Sequence, residues 1–384
     1  IGFAKDNVAD GAVATIQTAN SIARDNIQTP SSTTAVGSAV VFESANSDYF
    51  SVIYDSDAQK VVIAYRDTDN SNYGTAIVGT VSGTDISFGS AVVFNSGGTE
   101  RISGVYDSNA QKVVIAYRDG GNSDHGTAIV GTVSGTSISF GSAAVFESAN
   151  SQFISTSYDS DAQKVVIVYR DNGNSNHGTA IVGTVSGTSI SFGTAAVFES
   201  ADTKVNSTVY DTNSQKTVIA YRDQDNSGYG TAIVGTVSGT SISFGSAVVF
   251  ESASTEKIAA VYNTSANKVI IAYQDGGNSD HGTIIEGTVS GTSISFSTAI
   301  VFESASTVDI DVAYDANAKK VVIGYEDSGN SSHGTAIVLG TAGTPEDLTI
   351  GQQYFVQTDG TLGLSADDPS VIAGTAISGT DLIV

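Results

Sequence analysis

Three observations predict an all-β fold built from six copies of one four-stranded unit. First, one stretch recurs with no insertion or loss: its Val-Phe landmark falls on Phe42, Phe94, Phe146, Phe198, Phe250 and Phe302, and its Tyr-Arg-Asp landmark starts at Tyr65, Tyr117, Tyr169, Tyr221, Tyr273 and Tyr325, every step being 52 residues (94 − 42). Second, each copy holds four apolar runs of strand length, separated by Asp, Asn, Ser and Gly, and none has helical periodicity. Third, a long period filled with short strands is the pattern of a radial array of small sheets. The expected fold is an all-β, six-bladed β-propeller, with a small β module formed from the N- and C-terminal segments.

In the first copy the runs are residues 50 to 54, 60 to 66, 74 to 81 and 85 to 88. The second is continuously apolar from Val61 to Tyr65, which suits a strand covered on both faces by neighbouring blades. The fourth alternates Ile86 and Phe88 with polar residues, as a half-covered outer strand does. Ser82-Gly83 and its repeats read as two-residue hairpin turns between third and fourth strands. The YDSDAQK-type turn joins first to second. By alternation, the RDTDNSNYG-type loop between second and third strands lies on the opposite rim and, with the ESAN-type connectors, forms the decorated face.

The domain reading is 1–30 for an N-terminal half module and connector, 31–344 for the propeller and 345–384 for a C-terminal β module. The sixth copy loses its fourth strand, because LGTAGTPEDL replaces the VGTVSGTSISF pattern, while TTAVGSAVVF near residue 33 repeats only the last quarter of a copy. Residues 33 to 38 are therefore expected to complete the sixth blade and close the ring, removing two free sheet edges.

Sixteen basic against forty acidic residues leave a formal charge of −24. That balance argues against nucleic acid and anionic membrane surfaces as partners. No apolar run is long enough to cross a bilayer as a helix. Cysteine is absent, which removes disulfides, thiol nucleophiles and cysteine metal sites. Methionine is also absent, and a chain starting Ile1-Gly2-Phe3-Ala4 is expected to be processed and extracellular.

Four constellations are candidates for chemistry. The histidines His125, His177, His281 and His333 share one repeat position with Tyr73 and Tyr229, and one per blade they read as loop anchors rather than a catalytic set. The acidic loops place Asp67, Asp69 and Asn70, then Asp119, Asn122 and Asp124, then Asp275, Asn278 and Asp280 within six residues each, a density of hard oxygen ligands that suits calcium. The simpler reading is that these side chains cap tight turns. Arg66, Arg118, Arg170 and Arg222 form a positive row that ends at Gln274 and Glu326; they read either as a ring for an acidic sugar or as ion-pair partners of carboxylates on adjacent blades. Asp309 and Asp311 are the asymmetric carboxylates on an innermost strand, with no nucleophile to complement them. Near-identical copies give no unique acid or nucleophile, so no enzymatic activity and no cofactor is expected, calcium aside.

Of three sequons, Asn263 and Asn330 are expected in turns where they can carry glycan, and Asn206 on an innermost strand where a sugar would clash.

The stretch YFVQTDGTLGLSADDPSVIAGTAISGTDLIV resembles a small β module near the ends of phage tail-fibre and other surface-appendage proteins of aquatic microbes, where a segment like IGFAKDNVADGAVATIQT precedes it. The VVIAYRD and GTAIVGTVSG motifs resemble repeats of uncharacterised propellers of the same kind. The resemblance implies an extracellular structural protein, a building block of a fibril or virion or cell-surface appendage. In this chain the two halves of the module stand at opposite termini. Ile1, Phe3, Val13 and Ile16 in one, and Tyr354, Val356, Ile372 and Ile383 in the other, are the apolar residues they have to bury. They meet either within one chain or, as the favoured expectation, between neighbours, linking copies head to tail by strand addition into a filament. The alternative function is a carbohydrate-binding, lectin-like propeller with repeated sites on the loop face.

Overall fold

The computed structural model describes residues 38–339, together with the short strands Phe3–Ala4, Ile16–Gln17, Gln353–Val356, Leu362–Gly363, Val371–Ala376 and Leu382–Ile383. Two compact units are distinguished, residues 1–40 with 81–86, and residues 41–80 with 87–384. In the smaller, Phe3–Ala4 pairs antiparallel with Ile16–Gln17. The rest of this description concerns the larger.

Its fold is all-β and repetitive, and the second repeat serves as the example. Lys112–Asp119 is the central strand, and Val113, Val114, Ile115, Ala116 and Tyr117 are fully buried because both faces of the strand meet neighbouring repeats. A run rich in β-branched residues fits a strand covered on both sides. It pairs on one edge with the latter half of Val92–Asp107 and on the other with His125–Ser134. Ser137–Phe140 then pairs with residues 131–134 of that third strand, and Ala144 and Val145 continue along its remaining edge, opposite Ala128 and Thr127.

The chain does not loop between repeats. Ala144–Asp159 is a single strand of 16 residues whose start is the outer strand of one repeat and whose latter part, from Ser151, is the inner strand of the next. The ESAN-type segments expected as connectors are thus extended backbone shared by two sheets. The hairpin turn also shifts by one residue. Ser134 pairs with Ser137, so the turn is Gly135-Thr136, with Gly135 at φ 61°, the first central position where a type II′ turn requires glycine. The first-to-second turn is held by Asp107, whose Oδ1 accepts from Asn109 N at 3.0 Å and Ala110 N at 2.8 Å.

The core lies between repeats rather than within one. Val114, Ala116, Ala128 and Val130 of the second repeat pack against Phe146, Ile154, Val165, Ile167 and Tyr169 of the third. The Phe146 ring stands 5.1 Å from Tyr169 and 5.9 Å from Phe192. Tyr169 Oη donates to Glu147 Oε2 at 3.2 Å, and the same bond recurs at Tyr65–Glu43, Tyr221–Glu199, Tyr273–Glu251 and Tyr325–Glu303. Repeat two has Asn95 instead of the glutamate, and its amide turns to Thr99 and Asp119.

Five such junctions join the six repeats in sequence. Among the described residues, the outward faces of repeats one and six are more accessible than their counterparts in the other repeats. In repeat one Phe50 is 50% and Tyr54 58% exposed, against 8% for the corresponding Ile102 and Tyr210, and in repeat six Val338 is 55% exposed where Val130 is fully buried. The sequence assigns closure to residues 33–38, of which 33–37 lie outside the described residues. In the C-terminal segment, four short strands pair in the order Leu362–Gly363, Gln353–Val356, Val371–Ala376, Leu382–Ile383.

Candidate functional site

The loops between second and third strands and the starts of the inner strands share one rim of each repeat. Here the inner strand carries a β-bulge: register slips between Glu100 and Ser103, so Arg101 and Ile102 face a single residue of the partner strand. Ile102 turns into the core, and Arg101 takes the left-handed conformation, φ 54°. All described repeats do this, at Tyr49, Arg101, Phe153, Val205, Lys257 and Asp309, with φ between 49° and 54°. A left-handed non-glycine costs roughly 1–2 kcal/mol, and for β-branched Val205 it is a true outlier. These six residues differ in every copy, as do most of their inner-strand neighbours: the preceding position carries Asp48, Glu100, Gln152, Lys204, Glu256 and Val308. Sequence reading missed the bulge; the variability of this segment was the available signal, and it does not single out one residue.

Beside the bulge stand the arginines. Arg66 forms a fork on Asp48, with Nε 2.6 Å from Oδ1, and its Nη1 reaches Glu100 Oε1 of the next repeat at 3.2 Å. The hydrogen bond to Asp48 raises the already strongly basic Arg66 guanidinium. Glu100 also holds Arg118 Nη1 at 2.5 Å, and Arg118 Nη2 lies 2.7 Å from Asp124. Arg170 faces neutral Gln152 across the sheet and turns instead to Asp202 of the next repeat, through Nη2 at 3.2 Å; its Nε is 2.8 Å from Asp202 Oδ1 but off the hydrogen-bonding line. Arg222 faces Lys204, a like charge, and pairs with Glu256 of the following repeat. It lies over Gly228, where a Cβ would meet the guanidinium at 2.7 Å, and burial lowers its basicity. The arginine side chains are 15–19% exposed and their carboxylate partners 24–44%. Each fork is therefore fixed in place and open at its edge.

The candidate calcium ligands occupy this rim without converging. Asp67 Oδ1 accepts from Asn70 N, Asp119 Oδ1 from Gly121 N and Asn95 Nδ2, and Asp275 Oδ1 from Gly277 N, while Asp124 is taken by Arg118 and Asn150. Asp69, Asn70, Asn122, Asn278 and Asp280 are exposed. Among the described residues no group of three His, Cys, Asp or Glu side chains is placed to hold a metal ion. The histidines begin the third strands, one per repeat, opposite the capping aspartates. The bulge also separates Asp309 from Asp311: Asp309 is left-handed and paired with Lys257 at 2.9 Å, so strict alternation does not put the two on one face.

Asn330 lies exposed in a short 3-10 turn. Asn263 corrects the expectation of an accessible turn: it ends a strand, is 8% exposed, and its Oδ1 accepts from Ser265 N and Ala266 N, taking the role that aspartate has in the other copies. Asn206 is on an inner strand as expected and 9% exposed, with neither amide atom partnered. Of the expected assembly residues, Phe3, Ile16, Tyr354, Val356, Ile372 and Ile383 fall on the short terminal strands, with side chains outside the described residues; Ile1 and Val13 lie outside them altogether.

No protein-family model matches the sequence, and no curated protein matches it. Solved structures do match in fold. The BP39L lectin from Burkholderia pseudomallei aligns with TM-score 0.57 at 10% identity over 88% of this chain and 99% of that one. The intramolecular trans-sialidase from Ruminococcus gnavus, in complex with oseltamivir carboxylate, aligns with TM-score 0.53 at 8% identity over 77% of this chain and 94% of that one. At these identities the likeness is one of fold: the chain is a β-propeller of repeated strand units.

Proposed function

We propose that this protein is a carbohydrate-binding propeller that acts by binding without turnover, with shallow sites at those junctions between repeats that an arginine fork spans. The observation that carries the reading is the recurrence of half-open arginine–carboxylate forks that reach from one repeat to the next, as at Arg66–Asp48–Glu100, Arg170–Asp202 and Arg222–Glu256. Sugar hydroxyls need a fixed donor beside a fixed acceptor, and a planar guanidinium beside a carboxylate supplies both. Tyr73, His125, His177, Tyr229 and His281, all half-buried at the starts of third strands, add ring surface and hydrogen-bonding groups on the same rim. The fold likeness to a protein described as a lectin supports the same reading. Six blades and an extracellular location belong to this proposal. A glycan array probed with the full chain tests it: saturable binding to a defined set of saccharides is expected, and an array without specific binding would contradict it.

A second reading, a structural unit joined end to end, is supported by the two small sheets at opposite termini, each too small to hold a core alone. Its expected outcome is that deleting residues 1–17 disperses any filaments; filaments that persist after the deletion would contradict it.

A further inference from the structure

Among the described residues, the ion pairs of the rim do not include Arg101. Tyr49, Arg101 and Phe153 occupy the same bulge position in three successive repeats. The Arg101 guanidinium carbon stands 4.9 Å from the centre of the Phe153 ring and 5.6 Å from that of Tyr49, and Arg66 covers Tyr49 at 4.7 Å. Among the described residues, Arg66, Arg118, Arg170 and Arg222 each meet a carboxylate, while Arg101 meets none and its Nε is buried without a hydrogen-bond partner. The carboxylates that directly precede Tyr49 and Arg101 are engaged: Asp48 by Arg66, and Glu100 by both Arg66 and Arg118. The residue beside Phe153 is neutral Gln152.

A guanidinium between two rings uses its faces in cation–π contact and keeps its edge donors for something else. Those edge donors match a carboxylate, which takes two of them in parallel. The flanking rings supply the other half of a sugar site, an apolar surface for the C–H face of a pyranose.

We infer that Arg101, framed by Tyr49 and Phe153, is a subsite for the carboxylate of an acidic saccharide, with the sugar ring resting on the Phe153 side. The inference rests on the glycan-binding reading above and specifies its ligand class at one junction. The other repeats carry Val205, Lys257 or Asp309 at this position, so this subsite occurs once per chain.

The test is a calorimetric titration of the full chain with an oligogalacturonate and with its methyl ester, which has the same sugar without the charge. The acid is expected to bind at least about tenfold tighter than the ester, and Arg101→Ala to remove that preference while leaving ester binding in place. Arg101→Lys, which keeps the charge but loses the fork, should fall between the two. Circular dichroism melts of both variants establish that they fold. Equal binding of acid and ester, or a preference that survives in a folded Arg101→Ala protein, would overturn the inference. If neither form binds while the array shows neutral glycans bound, this subsite is wrong and the broader function stands. If no saccharide binds at all, the broader function fails with it.

Discussion

Replacing Gly193 by alanine tests whether successive repeats are locked together as described. Gly193 follows the outer strand Ser189–Phe192 and lies against the hairpin turn of the next repeat. A Cβ placed there would sit 2.8 Å from the Thr240 carbonyl carbon and 2.9 Å from Thr240 Cβ, closer still to the carbonyl oxygen. Neither side can give easily: Gly193 N donates to Val182 O at 2.9 Å, and Thr240 belongs to a two-residue turn fixed by Gly239 at φ 62°. Alanine gains about 0.4–1 kcal/mol by restricting the unfolded chain, but forced overpacking costs about 1–3 kcal/mol. The expected net is a destabilisation of ~1–2 kcal/mol. The same contact recurs at Gly89, Gly141 and Gly245. Repeat five has Ser297 at this position, and the repeat after it is the one whose sequence lacks the hairpin pattern. Ser297→Ala is therefore the internal control, expected within about 0.5 kcal/mol of the parent. Urea unfolding, compared at constant m-value, reads both. Equal midpoints for Gly193→Ala and Ser297→Ala would refute the interlocking of hairpin and outer strand.

Two further outcomes follow from buried polar groups. Burial raises the hydroxyls of Tyr65, Tyr117, Tyr169, Tyr221 and Tyr273 above the usual tyrosine range, and that of Tyr325 to about 12. The folded pKa exceeds the unfolded one, so the unfolded chain loses protons first and stability falls as pH rises above about 10, by up to ~1.4 kcal/mol per unit for each fully buried tyrosine. Cooperative unfolding near about pH 11 is expected, with the last rise in tyrosinate absorbance coinciding with loss of strand circular dichroism; ionisation of these tyrosines in a still-folded protein would contradict it. Asn206→Ile should stabilise by ~1–2 kcal/mol, because it replaces an unpartnered amide with the residue found at Ile102, Ile154, Ile258 and Ile310. A lower melting temperature would show that the amide has a partner in solution.

Much of the fold was legible because the repeat makes its own alignment. Apolar runs at fixed spacing located the second and third strands of every copy, and the two-sided burial of residues such as Val113–Tyr117 followed from their unbroken hydrophobicity. The long shared strands were hidden, since segments such as Glu147–Asn150 are polar and pair only through the backbone. The hairpin was read one residue early because Ser-Gly and Gly-Thr are equally turn-like, and only the register separates them. At the rim, Asp119 and its counterparts were recognisable as caps from their place before Gly and Asn. The bulge was not recognisable: Tyr49, Arg101, Phe153, Val205, Lys257 and Asp309 share no side-chain chemistry, and their common conformation is imposed by the sheet around them rather than by their own preference. Asn263 misled for a related reason. It is a sequon in a turn motif, but it stands where the motif needs a buried acceptor.

Binding stoichiometry tests the central claim most directly. The full chain is titrated calorimetrically with the saccharide that the array selects, alongside the Arg118→Ala and Glu100→Gln variants. Sites built from successive repeats predict more than one saccharide bound per chain, and a fall in the number bound, rather than a uniform loss of affinity, when Arg118 or Glu100 is changed. A single site per chain that is indifferent to both substitutions would contradict the account.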